Sequence, residues 1–167
     1  MFFLKQIYTQ VHKPIEELFS TFSKEAVAAA SIAQVHKATT LDGQDVAVKI
    51  LRPNIEEAFA RDIETFLWVA HIIEKRVPAL RRLRPVDVVD AFADMVRQEM
   101  NLQNEAAAGS ELRENTANDP AFRVPFIVWN RTSMRVLTTE WIDGIPISNR
   151  AALEAAGHDM AALGTGI

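Results

Sequence analysis

The hydrophobic period of this chain changes from two to about 3.6 residues at Arg52-Pro53, and that switch constrains the fold more than any other feature. Before it, Val46, Val48 and Ile50 alternate with Ala47, Lys49 and Leu51, the pattern of a strand whose two faces differ. Lys49 therefore projects from the face opposite Val48 and Ile50. After it, Ile55, Phe59, Ile63, Phe66, Leu67, Ala70 and Ile73 recur at helical spacing until Val77-Pro78.

The rest of the chain extends this alternation. Ile15, Leu18, Phe19 and Phe22 are spaced as a short amphipathic helix with Pro14 in its first turn. Residues 26–51 read as strands, folded back on themselves at Leu41-Asp42-Gly43-Gln44, where Asp-Gly accepts a positive φ. A second long helix is expected to begin at Pro85 and run on to about Asn115, with Gly109 weakening its interior by roughly 1 kcal/mol relative to alanine. Residues 123–129 and 135–142 read as two strands around the polar stretch Asn130-Arg131-Thr132-Ser133, and residues 151–163 as a weak helix containing Gly157. Helix, strands, long helices, strands and helix make an α+β chain with a small antiparallel sheet, not a βαβ series.

Composition narrows the classes of function. With 167 residues, 49% hydrophobic and 24% charged, the chain can bury a sizeable core. A net charge of -4 argues against a nucleic-acid partner, since that affinity depends on many cations meeting phosphates. There is no cysteine for a disulfide or a thiolate metal site, and no run approaches the ~18 apolar residues of a membrane span. His36 and His71 stand alone without ligand spacing, so no metal site is expected. Arg76 and Arg81-Arg82-Leu83-Arg84 form a basic patch between the two long helices, either a solvated loop or a surface for anionic lipid headgroups.

A lysine fixed on a strand can hold a polyphosphate as a point charge if a helix carboxylate orients its flexible stem. Lys49 is a candidate whose partner must lie on the following helices, where residues 98–106 supply two glutamates, Glu99 and Glu105. Six positions apart, they would face different sides of one continuous helix and could not share one task.

Four stretches in order carry a resemblance: "AAASIAQVHKA", "VAVKILRP", "EMNLQNEAAAGSELREN" and "LTTEWIDGIPI". From about Pro14 to about Gly157 the chain resembles the UbiB family of atypical, protein-kinase-like proteins associated with ubiquinone biosynthesis. The resemblance implies a kinase-like N-lobe at residues 25–142 with a helical insertion. Residues 1–24 would be part of an N-terminal extension, and residues 143–167 the end of the hinge and the start of a C-lobe. It implies ATP with Mg²⁺ as cofactor, and makes Ala28, Ala29, Ala30 and Ser31 the alanine-rich loop that replaces the glycine loop of protein kinases. Lys49 becomes the phosphate lysine and Glu105 its helix partner. Glu99 becomes the first acid of an E-x-D motif, whose third position is Asn101 here. The backbone of Glu140, Trp141 and Ile142 becomes the hinge at the adenine edge.

The residues that would transfer phosphate are not found as a set: there is no Asp-Phe-Gly, and Asp159 is followed five positions later by Gly164 rather than asparagine. Nor does the first dozen residues resemble the family's K-x-G-Q motif. The expectation is a nucleotide-binding lobe, inactive by itself, with the metal ligands in a C-lobe beyond this chain. Its partners would be nucleotide and lipids or proteins of ubiquinone biosynthesis, and its location cytoplasmic or peripheral at the inner face of the membrane. The alternative from another class is a non-catalytic helical interaction module.

Overall fold

The molecule is built on one antiparallel sheet flanked by a helix on one face and by N-terminal residues on the other. In this computed structural model residues 7–9, 13–119, 122–160 and 163 are described. The elements are α1 (Ile15–Leu18), β1 (Phe19–Phe22), β2 (Ala28–Ala29), β3 (Ala33–Thr40), β4 (Asp45–Leu51), α2 (Ile55–Arg76), α3 (Pro85–Glu99), α4 (Leu102–Asn115), β5 (Val136–Glu140) and α5 (Arg150–Ala155). The sheet runs β1-β3-β4-β5, and the short β2 shares the outer edge of β3 with β1.

The β3–β4 hairpin is the spine of the sheet, with Ala33 opposite Leu51 and His36 opposite Val48. Its turn closes where Gly43 takes φ 84°, a left-handed conformation that a Cβ would strain. Period-two alternation then sorts the residues of β4. Val46, Val48 and Ile50, all fully buried, join Ile7, Leu18, Phe19, Ala38 and Val136 in the larger core. Leu51 turns to the other face and joins Ala33, Leu102, Ala106 and Leu137. Lys49 has the parity of Leu51, so it stands on the face that α4 covers.

The helical hairpin α2–α3 stands away from this sandwich. Its two helices pack mainly on each other, with Phe66 and Phe92 in edge contact at 6.3 Å and Ala70 and Ala93 buried. The segment that joins them, residues 78–83, is a 3₁₀ helix.

Four expectations are corrected. The N-terminal helix stops at Leu18, because Phe19 and Phe22 are drawn into β1 beside Thr40 and Ala38. The helix from Pro85 does not reach Asn115 unbroken: it ends at Glu99, and Asn101 starts α4 with its side chain accepting from the Gln103 N–H at 3.1 Å. The helix expected over 151–163 is interrupted: α5 ends at Ala155, ahead of Gly157, whose φ of 83° is a left-handed stop rather than a helix interior, and Met160 and Leu163 are helical again beyond it. Residues 123–129 also fall short of a full strand, contributing an isolated bridge from Ile127 to Thr139 before a 3₁₀ turn at Trp129–Arg131.

Candidate functional site

Lys49 and Glu105 meet because two separate patterns converge. Strand alternation delivers Lys49 to the α4 face, and α4 is seated there by Leu102 and Ala106, four residues apart and fully buried against Ala33, Leu51 and Leu137. Glu105, adjacent to Ala106 on that helix, is then carried to the lysine. Lys49 Nζ donates to both oxygens of the carboxylate, at 2.9 and 2.7 Å. The pair is open to solvent, with side-chain exposures of 31% and 48%, so a further anion can reach the ammonium. Gly109, one helical turn further on, faces Ile127, whose Cδ1 a Cβ at this position would meet at an ordinary 3.6 Å.

The alanine run is not a free loop along its length. Ala28 and Ala29 form β2 opposite Val35 and Gln34, and only Ala30, Ser31 and Ile32 make the turn into β3. The Ala30 N–H donates to the Ala33 carbonyl at 2.9 Å. Arg52 holds the turn from β4: its N–H donates to the Ile32 carbonyl at 2.7 Å and its Nε to the Ala30 carbonyl at 3.1 Å. All four of Ala28, Ala29, Ala30 and Ser31 are exposed.

Glu140, Trp141 and Ile142 leave the end of β5. The Glu140 N–H donates to the Phe126 carbonyl at 3.0 Å and the Trp141 N–H to the Asp45 carbonyl at 3.1 Å. Their side chains are also engaged, Glu140 in an ion pair with Arg123 and Trp141 beneath Lys37 Nζ, 4.9 Å from the ring centre. Among the described residues the Ile142 N–H donates to no backbone carbonyl, which leaves it available to an outside acceptor.

Glu99 is not brought to the pair. It sits exposed at the end of α3, and no hydrogen bond or ion pair holds its side chain among the described residues. Asn101, read as the third position of an acid motif, is spent as the cap of α4. Sequence reasoning missed Arg52, because nothing in its local spacing shows what lies across the sheet. The cap at Asn101 did have a signal: asparagine is among the strongest N-cap residues.

Comparison with known proteins now decides the class. The profile of the ABC1 atypical kinase-like domain matches residues 3–167. The chain belongs to that family. It is 45% identical over 150 residues to a probable protein kinase UbiB of Marinobacter nauticus, covering 90% of this chain and 27% of that protein. It is 39% identical over 158 residues to the probable protein kinase UbiB of Cellvibrio japonicus, covering 95% of this chain and 29% of that protein. The chain thus spans under a third of the length of these relatives. Among solved structures, the Rv3197–erythromycin complex of Mycobacterium tuberculosis superposes with a TM-score of 0.73 at 31% identity, covering 87% of this chain and 36% of that one. The ABC1 match and this likeness make the mixed architecture a kinase-like N-lobe with a small antiparallel sheet.

Proposed function

We propose that this ABC1 lobe binds ATP, with Lys49 on the phosphates, Glu105 orienting Lys49, and the alanine turn covering the nucleotide from above. The observation that carries the reading is the solvent-open, two-pronged ion pair between Lys49 and Glu105. Lys49 holds phosphate oxygens as a point charge, and Glu105 limits the rotamers of its four-carbon stem. Adenine is met by backbone at residues 140–142, where the Ile142 N–H is the available donor. The turn at Ala30–Ile32 presents N–H groups on a backbone stiffer than a glycine loop, since each Cβ restricts φ.

Bound ATP supplies a transferable phosphoryl group. With neither an Asp-Phe-Gly nor an aspartate followed five positions later by asparagine, the chain binds nucleotide without turning it over. Mg²⁺ would accompany the nucleotide and take its protein ligands from a C-lobe rather than from this lobe. Kinship with the UbiB relatives supports an activity at the lipid intermediates of ubiquinone biosynthesis, peripheral to the inner face of a membrane. No helix among the described residues is long and apolar enough to cross one.

Calorimetric titration of ATP, with and without Mg²⁺, tests the reading. Binding is expected in the native chain and lost in Lys49→Ala. Equal binding by both proteins would overturn the role given to Lys49, and no binding by either would overturn the nucleotide site.

A further inference from the structure

The tip of the α2–α3 hairpin carries charge and apolar surface in a combination that the nucleotide reading does not use. Lys75, Arg76, Arg81, Arg82 and Arg84 are five of the chain's 18 lysines and arginines, and no acid lies among residues 75–84. This concentration stands in a chain of net charge -4. The acids that flank the tip are occupied. Glu74 accepts from the Val86 N–H at the start of α3, and Asp87 is paired with Arg84.

The cations divide into two kinds. Arg81 is structural: its Nε donates to the Glu74 carbonyl and its Nη2 to the Lys75 carbonyl at 3.5 Å, closing the C-terminal end of α2. The side chains of Lys75, Arg76 and Arg82 take part in no hydrogen bond or ion pair among the described residues. Around them, large apolar side chains face solvent, with Trp68 66% and Leu83 59% exposed and Ile72 and Leu80 partly so. On α2, Trp68, Ile72 and Lys75 fall on the face opposite the buried Ala70. The apolar residues and the free cations thus share one surface at the end remote from the sheet.

We propose that this tip docks on an anionic phospholipid surface, Trp68, Leu80 and Leu83 entering the interface while Lys75, Arg76 and Arg82 meet headgroup phosphates. Tryptophan and leucine beside lysine and arginine are the composition of interfacial segments, and the charge sign selects an anionic leaflet. An acidic protein partner would account for the cations and leave a solvent-facing tryptophan and leucines without a role. The proposal sharpens the peripheral membrane placement given above and is independent of Lys49.

Sedimentation of the chain with phosphatidylcholine vesicles, with and without phosphatidylglycerol, tests it. Binding is expected only with phosphatidylglycerol, falling as salt rises. The combined variant Lys75→Gln, Arg76→Gln and Arg82→Gln should lose about a hundredfold in affinity. Its circular dichroism and melting should match the native chain, because these side chains hold nothing. Arg81 is left in place because its loss would open α2. In a Trp129→Phe, Trp141→Phe background, the emission of Trp68 should shift to the blue and be quenched by brominated lipid chains. Vesicle binding retained by the triple variant would overturn the tip and leave a membrane placement by other residues. No binding to either vesicle, equal binding to both, or unquenched Trp68 emission with capture of acidic proteins would overturn the docking. Vesicle binding that survives Lys49→Ala while ATP binding is lost separates this proposal from the nucleotide reading.

Discussion

Arg52 fastens Ala30. Its Nε donates to the Ala30 carbonyl at 3.1 Å, and its N–H holds Ile32 two residues on. The Arg52 carbonyl in turn accepts from Arg135 Nη2 at 3.1 Å, and Arg135 pairs with Glu56 in the first turn of α2. The alanine turn and the base of the helical hairpin are therefore anchored at the same point, the end of β4. Arg52→Ala removes one charge-assisted bond while leaving the strand backbone in place, a loss of about 1–3 kcal/mol. Hydrogen exchange at the Ala30 amide should accelerate, because its bond to Ala33 depends on the turn staying closed, while exchange at Ala38 in the middle of the sheet stays slow. Unchanged protection at Ala30 would show that the turn holds without Arg52.

The Lys49–Glu105 pair should matter little to stability. A solvent-open ion pair contributes about 0–1 kcal/mol after side-chain ordering and screening are counted. Lys49→Ala and Glu105→Gln should each unfold in urea within about 1 kcal/mol of the native chain. A larger change in either would mean that the pair is a structural brace, and loss of ATP binding in that variant would then report misfolding.

How much of this was readable in the sequence depended on whether the cause was local. The alternation of Val46, Val48 and Ile50 with Lys49 is a local pattern, and it fixed which face of the sheet the lysine occupies. The long helix ending at Arg76 and the Pro85 start were equally plain from spacing. Phe19 and Phe22 defeated the same method, because their helical spacing yielded to pairing with β3, which lies about twenty residues away in the chain. The break at Asn101 was concealed by apolar residues on both sides that suit a helix. It is made real by the Asn101 cap and by Leu102, whose N–H donates to the Met134 carbonyl at 2.9 Å. Pairing Lys49 with Glu105 rather than Glu99 came from family resemblance. The structure gives it a physical reason, since the break puts the two glutamates on different helices and the buried Leu102 and Ala106 seat only the second.

Leu102 is the side chain on which the position of Glu105 depends. Fully buried between Ala33, Leu51 and Leu137, it should cost about 2–5 kcal/mol when changed to alanine. The variant should also weaken ATP binding although it touches no nucleotide, because α4 would no longer be held at its distance from β4. Full ATP affinity in a destabilised Leu102→Ala would show that Glu105 is positioned by other contacts.

Gly109 offers a change in the opposite direction. It lies inside α4, where glycine costs about 1 kcal/mol relative to alanine. A Cβ built there meets Ile127 Cδ1 at 3.6 Å, an ordinary contact. Gly109→Ala should therefore raise stability by up to about 1 kcal/mol, read from the urea midpoint. A lower midpoint would mean that α4 and Ile127 are packed more tightly than this spacing allows.

Asp45 should confer an acid-sensitive part of the stability. Its carboxylate accepts from Lys37 Nζ at 2.8 Å and from Thr39 Oγ1 at 3.0 Å, and these hydrogen bonds, the lysine's first, hold its pKa below the usual aspartate range. In the unfolded chain the same group titrates near ~3.9. A pKa depressed by folding means that the unfolded chain binds the proton more readily. The contribution of Asp45 is thus complete above the unfolded value and is lost as pH falls through the lower folded one. Asp45→Asn should unfold at lower urea than the native chain at pH 7 and pH 5, and the difference should shrink below about pH 4. A difference that stays constant from pH 7 to pH 3 would show that the charge of Asp45 is not what secures the β3–β4 edge on which Trp141 rests.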